Sequence, residues 1–317
     1  MSDVGYALSS EEHGPMALAD YAARAEAVGF DFASISDHFH PWLSQQGEAP
    51  FVWSTLGAVA RATDDLPVGV GVNCPIVRIH PANVAQAAAT VAEMFDGQFF
   101  LGVGTGERLN EHVTGEHWPE HPVRAEMLAE AVDVIRTLWE GGQQSHYGTH
   151  FTVENARLFT LPEDPPPIVV SAYGERAARA AADVGDGLWT VGPQDVVDTY
   201  EEAGGDGPRY SQMTVCYAED EEEAIDTAHE WWPNSALTGE LNSQLPTTTH
   251  FEQACQMVTR EDVAEGSIVT DPDPATHVDN LQTFLDAGYD HVYVHQVGPD
   301  QDSFFQFYEE EVLPAFD

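Results

Sequence analysis

Lysine is absent from this 317-residue sequence, and all 11 of its strongly basic residues are arginine. Aspartate and glutamate together number 54, which gives a formal net charge of -43 at pH 7. A general nucleic-acid-binding protein is excluded, because binding to phosphate backbones requires an excess of cations. Docking on anionic lipid is disfavoured for the same reason.

The acidic residues are spread along the chain rather than gathered in a tail, and the densest run, at 219–223, is short. Molar salt shortens the electrostatic screening length to roughly 3 Å, so the self-repulsion of such a surface fades in it. We therefore expect a folded protein adapted to the salt-filled cytoplasm of a halophile.

Cysteine is also scarce, with Cys74, Cys216 and Cys255 lying far apart. There is no Cys-x-x-Cys pair, so neither a cysteine zinc site nor a secreted disulfide framework is predicted. No apolar run of about 18 residues and no charged-then-apolar leader is found. These absences predict a soluble, cytoplasmic protein with no membrane partner.

Strand-like and helix-like segments alternate along the chain. The eight predicted strands are VGYALS, DFASIS, PVGVGVNC, QFFLGVG, PPIVVSA, GLWTVG, YSQMTVCYA and DHVYVHQVG. Helices predicted between them include 15–28, 82–95, 175–184 and 275–287. This order predicts an α/β fold, a (β/α)8 TIM barrel. No Ser/Gly-rich linker divides it, so we expect one domain over 1–317, with insertions at roughly 143–161 and 233–265.

Barrel active sites are built just after the carboxyl ends of the strands, and SDHFHPW, at 36–42, follows the second strand. His38 and His40 could be ordinary polar residues of a strand end. They could also bind zinc as a barrel hydrolase does, since both would face one side of an extended strand. Against zinc, such pairs typically follow the first strand, and a carboxylated-lysine bridge needs lysine.

Hydride transfer is the third interpretation. The segment FFLGVGTGE has Glu107 where the dinucleotide-binding fingerprint requires a glycine, so a nicotinamide Rossmann domain is unsupported. A flavin-like ring bound across a barrel mouth does not need that loop.

Several segments together resemble the deazaflavin-dependent branch of the luciferase-like barrel superfamily. They are SDHFHPW, NCPIVRIHP followed by AQAAAT, FFLGVGTGERLNE, and AGYDHVYVHQ. The resemblance extends over nearly the whole chain and is strongest to the coenzyme F420-dependent secondary-alcohol and glucose-6-phosphate dehydrogenases. It implies a luciferase-like barrel, an oxidoreductase acting on CH–OH, F420 as cofactor (FMN being the alternative), and a homodimer.

The resemblance also implies roles for single residues. His38 matches the proton acceptor, Trp42 the pocket wall that donates to a developing alkoxide, and Glu107 the group that serves the nitrogen end of the ring. A second family glutamate matches Glu11. The positions that match cofactor contacts are Asp37, Gly71, Val72, Cys74, Thr105, Gly106, Glu107, Asn110, Ser171, Ala172, Tyr173 and Gly174.

Two of these matches concern the backbone. The family's non-proline cis peptide bond falls at Gly71–Val72. The loop from Ser171 to Gly174 would offer N–H groups and a helix start to the cofactor phosphate. Tyr173 departs from the small residue that the family usually has there.

The substrate class follows from a second departure. The related sugar-phosphate dehydrogenases hold the phosphate with two lysines and an arginine, and the matching residues here are Pro193, Gln253 and Gly266. A dianionic substrate would lack its counter-charges. We therefore expect a secondary alcohol or an unphosphorylated sugar as the small-molecule substrate.

Other functions stay open at this point. They are an F420H2-dependent reductase of a carbonyl or alkene, an FMN-dependent luciferase-like monooxygenase, a metal-dependent barrel hydrolase, and a cofactor-binding protein without catalysis. The individual alcohol, the reaction direction and the roles of His13, His40, Trp231 and Trp232 are not fixed by the sequence. For His295 we expect a structural role, for Arg78 a structural ion pair, and for Cys74 the role of a small wall residue.

Overall fold

The structure is a computed structural model that describes residues 3–316, and eight parallel strands in it close into a barrel. The strands of the chain are β1 (Asp3–Leu8), β2 (Phe32–Ile35), β3 (Val68–Asn73), β4 (Phe99–Val103), β5 (Gln144–Tyr147), β6 (Thr152–Ala156), β7 (Ile168–Ser171), β8 (Gly187–Val191), β9 (Arg209–Val215) and β10 (His291–Gln296). Around the barrel they neighbour one another in the order β1-β10-β9-β8-β7-β4-β3-β2. All eight predicted strands lie in the barrel, so the predicted fold is confirmed.

The remaining two strands, β5 and β6, form a separate antiparallel hairpin. They fall inside the predicted insertion at 143–161, where HYGTHFTV indicated a hairpin. The hairpin packs beside the long helix that precedes it, where the Glu130 carboxylate accepts hydrogen bonds from the backbone N–H groups of Thr149, His150 and Phe151.

Helices alternate with the barrel strands. They are α1 (Pro15–Val28), α2 (Val52–Ala62), α3 (Pro81–Met94), α4 (Arg108–Glu111), α5 (His121–Trp139), α6 (Glu175–Val184), α7 (Val197–Glu202), α8 (Glu221–Trp231), α9 (Leu241–Gln244), α10 (Thr248–Cys255), α11 (Arg260–Ala264), α12 (Pro274–Asp286) and α13 (Gln301–Phe307). The segment 233–265, expected to be an insertion, contains α9, α10 and α11.

Helix α1 shows how the sequence sets these bounds. Pro15 stands in the first turn, where its missing N–H costs no hydrogen bond. Leu18, Ala22 and Ala25 recur at helical spacing and are fully buried against the barrel. Gly29 ends the helix at φ 100°, a left-handed conformation that glycine adopts without a Cβ penalty.

Aromatic side chains fill the inside of the barrel. Phe100 stacks on Tyr210 with ring centroids 4.5 Å apart, and Phe32 meets Tyr210 edge-on at 5.7 Å. Gly5 and Gly69 make room for these rings, because a Cβ at either position would overlap with Phe32 or Phe100. The barrel is therefore a packed core, and its open space lies at the carboxyl ends of the strands.

Among residues 3–316, no helix has both the length and the apolar character needed to cross a membrane.

Candidate active site

A cavity of about 1060 Å³ opens at the carboxyl ends of the barrel strands. Most of the residues predicted from the sequence line it: Glu11, Asp37, His38, Trp42, Gly71, Val72, Cys74, Thr105, Gly106, Glu107, Asn110, Ser171, Tyr173 and Gly174. Ala172 does not, since its side chain is 1% exposed and packs in the hydrophobic core. Neighbouring side chains of an extended segment point to opposite faces, which explains why Ser171 and Tyr173 reach the cavity and Ala172 does not.

His38 stands just beyond the end of β2 with its ring held in one orientation. Its Nδ1 lies 3.0 Å from the backbone oxygen of His40. A carbonyl oxygen only accepts, so Nδ1 carries the proton and Nε2 is the basic nitrogen. Nε2 lies 3.2 Å from Glu11 Oε1 and 3.6 Å from Glu107 Oε2. The Trp42 ring packs edge-on against the imidazole, with centroids 4.9 Å apart.

Glu11 and His38 favour each other's charged forms. Burial opposes ionisation of Glu11, but the charge of His38 and a 2.6 Å hydrogen bond from Ser36 Oγ outweigh it, so the pKa of Glu11 is lowered. Burial also opposes a charged His38, yet the carboxylates of Glu11 and then Glu107 outweigh it, and the pKa of His38 is raised. This imidazole therefore holds a proton at higher pH than a free histidine does.

Glu107 differs from Glu11 in the direction of its shift. Burial raises the pKa of Glu107, and the nearby His38 offsets only part of that rise. Asn110 fixes its position, because Asn110 Nδ2 donates to Glu107 Oε2 at 3.1 Å. The Asn110 Oδ1 accepts from the backbone N–H groups of Phe39 and His40, which ties the loop after β2 to the loop after β4.

An ion-pair network supports the backbone beside His38. Arg78 Nη2 lies 2.8 Å from Asp37 Oδ2, and Asn73 Nδ2 donates to the same oxygen at 2.5 Å. Glu111 accepts from both the backbone and the side chain of Arg78. The predicted structural ion pair of Arg78 is confirmed. Asp37 Oδ1 is buried and has no hydrogen-bond partner, which leaves an acceptor for a ligand.

Two glycines of the cavity lining stand where neighbouring side chains leave no room for a Cβ. The peptide bond between Gly71 and Val72 is cis, as the resemblance implied. A Cβ on Gly71 would overlap with Ser34 Oγ and Trp189 Nε1. Gly106 has φ 70°, and a Cβ there would overlap with Cys74 Sγ.

Cys74 behaves as a wall residue. Burial raises the pKa of its thiol well above the usual range, with Glu111 adding to the rise, so the reactive thiolate is disfavoured.

The histidines whose roles the sequence left open are now placed. His40 Nδ1 meets the Leu109 carbonyl at 3.0 Å, and His13 packs on Tyr21 at 5.0 Å between ring centroids. His295 lines the cavity and pairs through Nε2 with Glu12 Oε2 at 2.9 Å. Sequence reasoning did not single out Glu12, whose partner lies 283 residues away.

The two tryptophans whose roles the sequence left open, Trp231 and Trp232, differ in whether they line the cavity. Trp232 lines the cavity, and its ring meets His295 edge-on at 4.6 Å. Trp231 does not line the cavity and is packed, partly buried, against the apolar cluster to which Trp232 belongs. Its backbone oxygen accepts a hydrogen bond from Gln46.

Basic residues on the cavity wall were also missed. His121 and Arg124 lie in the first turn of α5, Arg176 lies in the first turn of α6, and all three line the cavity. The sequence signal was available, because these basic residues stand at the starts of the two longer helices that follow β4 and β7. Within the described part of the chain, no group of three or more His, Cys, Asp or Glu side chains is placed to hold a metal ion.

Comparison with known proteins gives a family and several whole-length relatives. Residues 2–291 match the family described as Luciferase-like monooxygenase. An F420-dependent glucose-6-phosphate dehydrogenase of Nakamurella multipartita is 36% identical over 98% of this chain and 95% of its own. A protein of the same name from Microbacterium testaceum is 35% identical over 98% of this chain and 96% of its own.

Among solved structures, an F420-dependent secondary alcohol dehydrogenase in complex with an F420-acetone adduct is similar throughout. Its TM-score is 0.91 at 30% identity, and the match covers 100% of this chain and 99% of that one.

Proposed function

Because this chain belongs to the luciferase-like monooxygenase family, we propose that it is a coenzyme F420-dependent dehydrogenase acting on a secondary alcohol or an unphosphorylated sugar. The whole-length relatives at 30–36% identity are F420-dependent dehydrogenases by name. The observation that carries the proposal is the geometry of His38. Its basic Nε2 lies at the cavity between Glu11 and Glu107 and beside Trp42.

The residues present fit a deazaflavin cofactor. A volume of about 1060 Å³ lies at the upper end of the ~300–1,000 Å³ typical of ligand pockets, which suits a three-ring system with a tail. Asp37 Oδ1 is an unpartnered acceptor on the wall. The start of α6 offers backbone N–H groups to a phosphate. Bound F420 supplies the carbon that accepts or delivers the hydride.

His38 handles the proton of the substrate hydroxyl. As the hydride leaves the carbinol carbon, the O–H proton passes to Nε2, while Nδ1 remains bonded to the His40 carbonyl. The Glu11 carboxylate, at 3.2 Å, stabilises the imidazolium that results. Trp42 forms no hydrogen bond through its indole N–H within residues 3–316 and can donate to the developing alkoxide.

Glu107 suits the second proton position that the resemblance assigns to it. Its raised pKa keeps a proton on the carboxyl group closer to neutrality than on an ordinary glutamate. Glu11, with its lowered pKa, stays ionised. The two carboxyl groups beside one imidazole are thus pushed towards different protonation states, as an acid and a charge-stabilising group require.

Charge around His38 favours an uncharged substrate. The nearby charges with the largest effects on the pKa of His38 are those of Glu11, Glu107 and Asp37, all of them acidic. Near the carboxyl ends of β9 and β10 and in the following segments, the lining contains no arginine; its polar residues are Gln212, Thr214, Asn234, Ser235, Glu240, Asn242, Ser243, Gln244, Ser267 and His295. Pro193, Gln253 and Gly266 do not line the cavity and add no cation. A sugar phosphate beside His38 would face carboxylates without counter-charges.

The raised pKa of His38 supports the reverse direction as a second candidate. An imidazole with a raised pKa keeps its proton at higher pH than a free histidine does, and His38 can donate that proton to the carbonyl oxygen of a ketone, for whose reduction reduced F420 would supply the hydride. The same residues serve both directions, so the choice between alcohol oxidation and ketone reduction depends on pH and on the substrates available.

The test is a titration of the purified protein with oxidised F420 in molar salt, followed by separate additions of isopropanol, glucose and glucose 6-phosphate. We expect binding, then loss of the oxidised-cofactor absorbance with a neutral alcohol and little change with the phosphorylated sugar. Deuterium at the carbinol carbon should slow the loss. A preference for glucose 6-phosphate would contradict the substrate assignment, and a tightly bound yellow flavin that consumes oxygen would contradict the cofactor.

A further inference from the structure

A group of polar side chains stands on the cavity wall at the carboxyl ends of β9 and β10. Gln212 and Thr214 are two residues apart on β9, so their side chains share one face of the strand, and His295 is the neighbour of Thr214 in the β9–β10 pairing. All three line the cavity. Gln212 and Thr214 are partly exposed although they lie on barrel strands, because they face this open space.

A buried carboxylate fixes the protonation of His295. Glu12 Oε2 lies 2.9 Å from His295 Nε2, and Glu12 Oε1 accepts from the backbone N–H of Gly298 at 2.8 Å. A carboxylate only accepts, so Nε2 carries a proton. Nδ1 faces the amide nitrogen of Gln212, a donor, at 3.4 Å. Nδ1 therefore accepts, and the ring is the neutral tautomer with its proton on Nε2.

This arrangement also orients the amide group of Gln212. Its Nε2 donates one hydrogen to His295 Nδ1 and the other to Thr214 Oγ1, which lies 3.2 Å away. Within residues 3–316, Gln212 Oε1 receives no hydrogen bond and the Thr214 O–H donates to no acceptor. One free acceptor and one free donor therefore stand beside each other on the cavity wall.

The same end of the cavity contains His38. Glu11 and Glu12 are consecutive residues, and each pairs with one of the two histidines of this region. Glu11 Oε1 lies 3.2 Å from His38 Nε2, and Glu12 Oε2 lies 2.9 Å from His295 Nε2. The loop after β1 thus holds the proton-transfer group and the β9–β10 group in one framework.

Two tryptophans connect these histidines. The Trp42 ring packs edge-on against His38, and the Trp232 ring meets His295 edge-on at 4.6 Å. Trp42 also packs against the apolar cluster that contains Trp232. Aromatic rings offer apolar surface to the carbon skeleton of a ligand. A substrate whose carbinol is at His38 can therefore extend along the tryptophans towards β9 and β10.

We propose that Gln212 and Thr214 bind a second hydroxyl group of the substrate, with Gln212 Oε1 accepting from it and the Thr214 O–H donating to it. A hydroxyl group donates and accepts through one oxygen atom, so it matches this pair. The substrate is then a polyol or an unphosphorylated sugar rather than a monohydric alcohol. Glu12 and His295 are positioning residues, because they act through Gln212. The inference rests on the proposed function and narrows its substrate class.

The experiment compares substrates that differ by one hydroxyl group. The protein, loaded with oxidised F420 in molar salt, receives cyclohexanol or one of the isomeric cyclohexanediols, and loss of the oxidised-cofactor absorbance gives kcat and KM. We expect at least one diol to have a KM about tenfold lower than that of cyclohexanol, the effect of two net hydrogen bonds. The kcat values should be similar, because His38 acts on the same kind of carbinol.

Two variants locate the effect. Thr214→Val removes the donor at nearly constant shape, and Gln212→Met removes the acceptor. Each should abolish most of the preference for the diol and leave the KM of cyclohexanol and the affinity for F420 unchanged, whereas Thr214→Ser should retain the preference. Thr152→Val is the matched control, because Thr152 is an exposed strand residue of β6 outside the cavity. Thermal unfolding in the same salt verifies the fold of each variant.

Each other outcome contradicts the proposal. The same KM for cyclohexanol and every diol would show that no second hydroxyl group is bound. A preference that survives in both Thr214→Val and Gln212→Met would place that hydroxyl elsewhere. Weaker F420 binding in either variant would assign the residue to the cofactor. If the unmodified protein does not bind F420, or binds it without hydride transfer from any of these alcohols, the proposed function itself is overturned and the inference with it.

Discussion

The two ends of the cavity satisfy their charges in opposite ways. At the His38 end, the imidazole, Glu11 and Glu107 compensate one another within 3.2 and 3.6 Å. At the opposite wall, formed by the starts of α5 and α6, Arg124 is less exposed to solvent than any of these three residues, yet it has no carboxylate partner. In the first region the charged groups have partners of opposite charge within the protein, and in the second region the arginine has none.

This difference separates a region that the protein has pre-organised from a region in which a buried arginine has no counter-charge. A proton-transfer group must be pre-organised before the substrate arrives, so its partners belong to the protein. A site for an anion must leave its cations unpaired, because an internal carboxylate would compete with the ligand. Substitutions at the two ends should therefore separate catalysis from binding.

The largest effect is expected from His38→Asn. Loss of a positioned proton acceptor costs typically about 10²–10⁴-fold in rate, while F420 affinity should be unchanged because the rest of the cavity lining is intact. Single-turnover hydride transfer, followed by the absorbance of the oxidised cofactor, measures it. His40→Asn is the control, since His40 bonds the Leu109 carbonyl and does not line the cavity. A similar loss in both variants would remove the special role of His38.

Arg78→Met and Arg124→Met compare the two buried arginines through stability. Breaking a buried ion pair on one side costs about 3–5 kcal/mol of unfolding free energy. We expect that cost for Arg78→Met, because Asp37 and Glu111 lose their partner. Arg124→Met should cost clearly less, since it leaves no carboxylate unpaired. Denaturant unfolding in molar salt measures both, and equal costs would contradict the contrast.

Glu11→Gln should move the pH dependence. Burial opposes a charged His38, but the carboxylate of Glu11, together with that of Glu107 and other nearby groups, raises the pKa of His38. Only the neutral imidazole accepts a proton. In the unmodified protein, oxidation should therefore rise as pH increases through that raised pKa. With glutamine at 11, the rise should shift to lower pH, and the maximal rate should fall because the imidazolium loses its counter-charge. An unshifted pH profile of hydride transfer would show that Glu11 does not set the pKa of His38.

The fold could be predicted because each barrel strand is a short run of apolar and β-branched residues followed by turn residues. Helix α2 was missed although Val52, Leu56 and Val59 recur at helical spacing, because the polar stretch before it offered no capping residue. The site could be predicted in part because barrel topology gathers strand ends at one mouth.

The features of the site that were not predicted depend on tertiary contacts. Glu12 is defined by a partner 283 residues away, and nothing beside it in the sequence announces that pair. Arg124 has no ion-pair partner because the fold keeps every described carboxylate beyond ion-pair distance, and the sequence alone does not show which carboxylates will lie near it. Ala172 was predicted to contact the cofactor together with its neighbours. The alternation of side chains along the extended segment instead places its methyl group in the core.

The central claim is that His38 accepts the proton of an alcohol while F420 takes the hydride. The most direct measurement is the absorbance of oxidised F420 bound to the protein in molar salt, after addition of isopropanol, with His38→Asn measured in parallel. We expect rapid loss of absorbance in the unmodified protein, and binding of F420 with little or no loss in the variant. Equal loss in both, or no binding of F420 by either, would contradict the account.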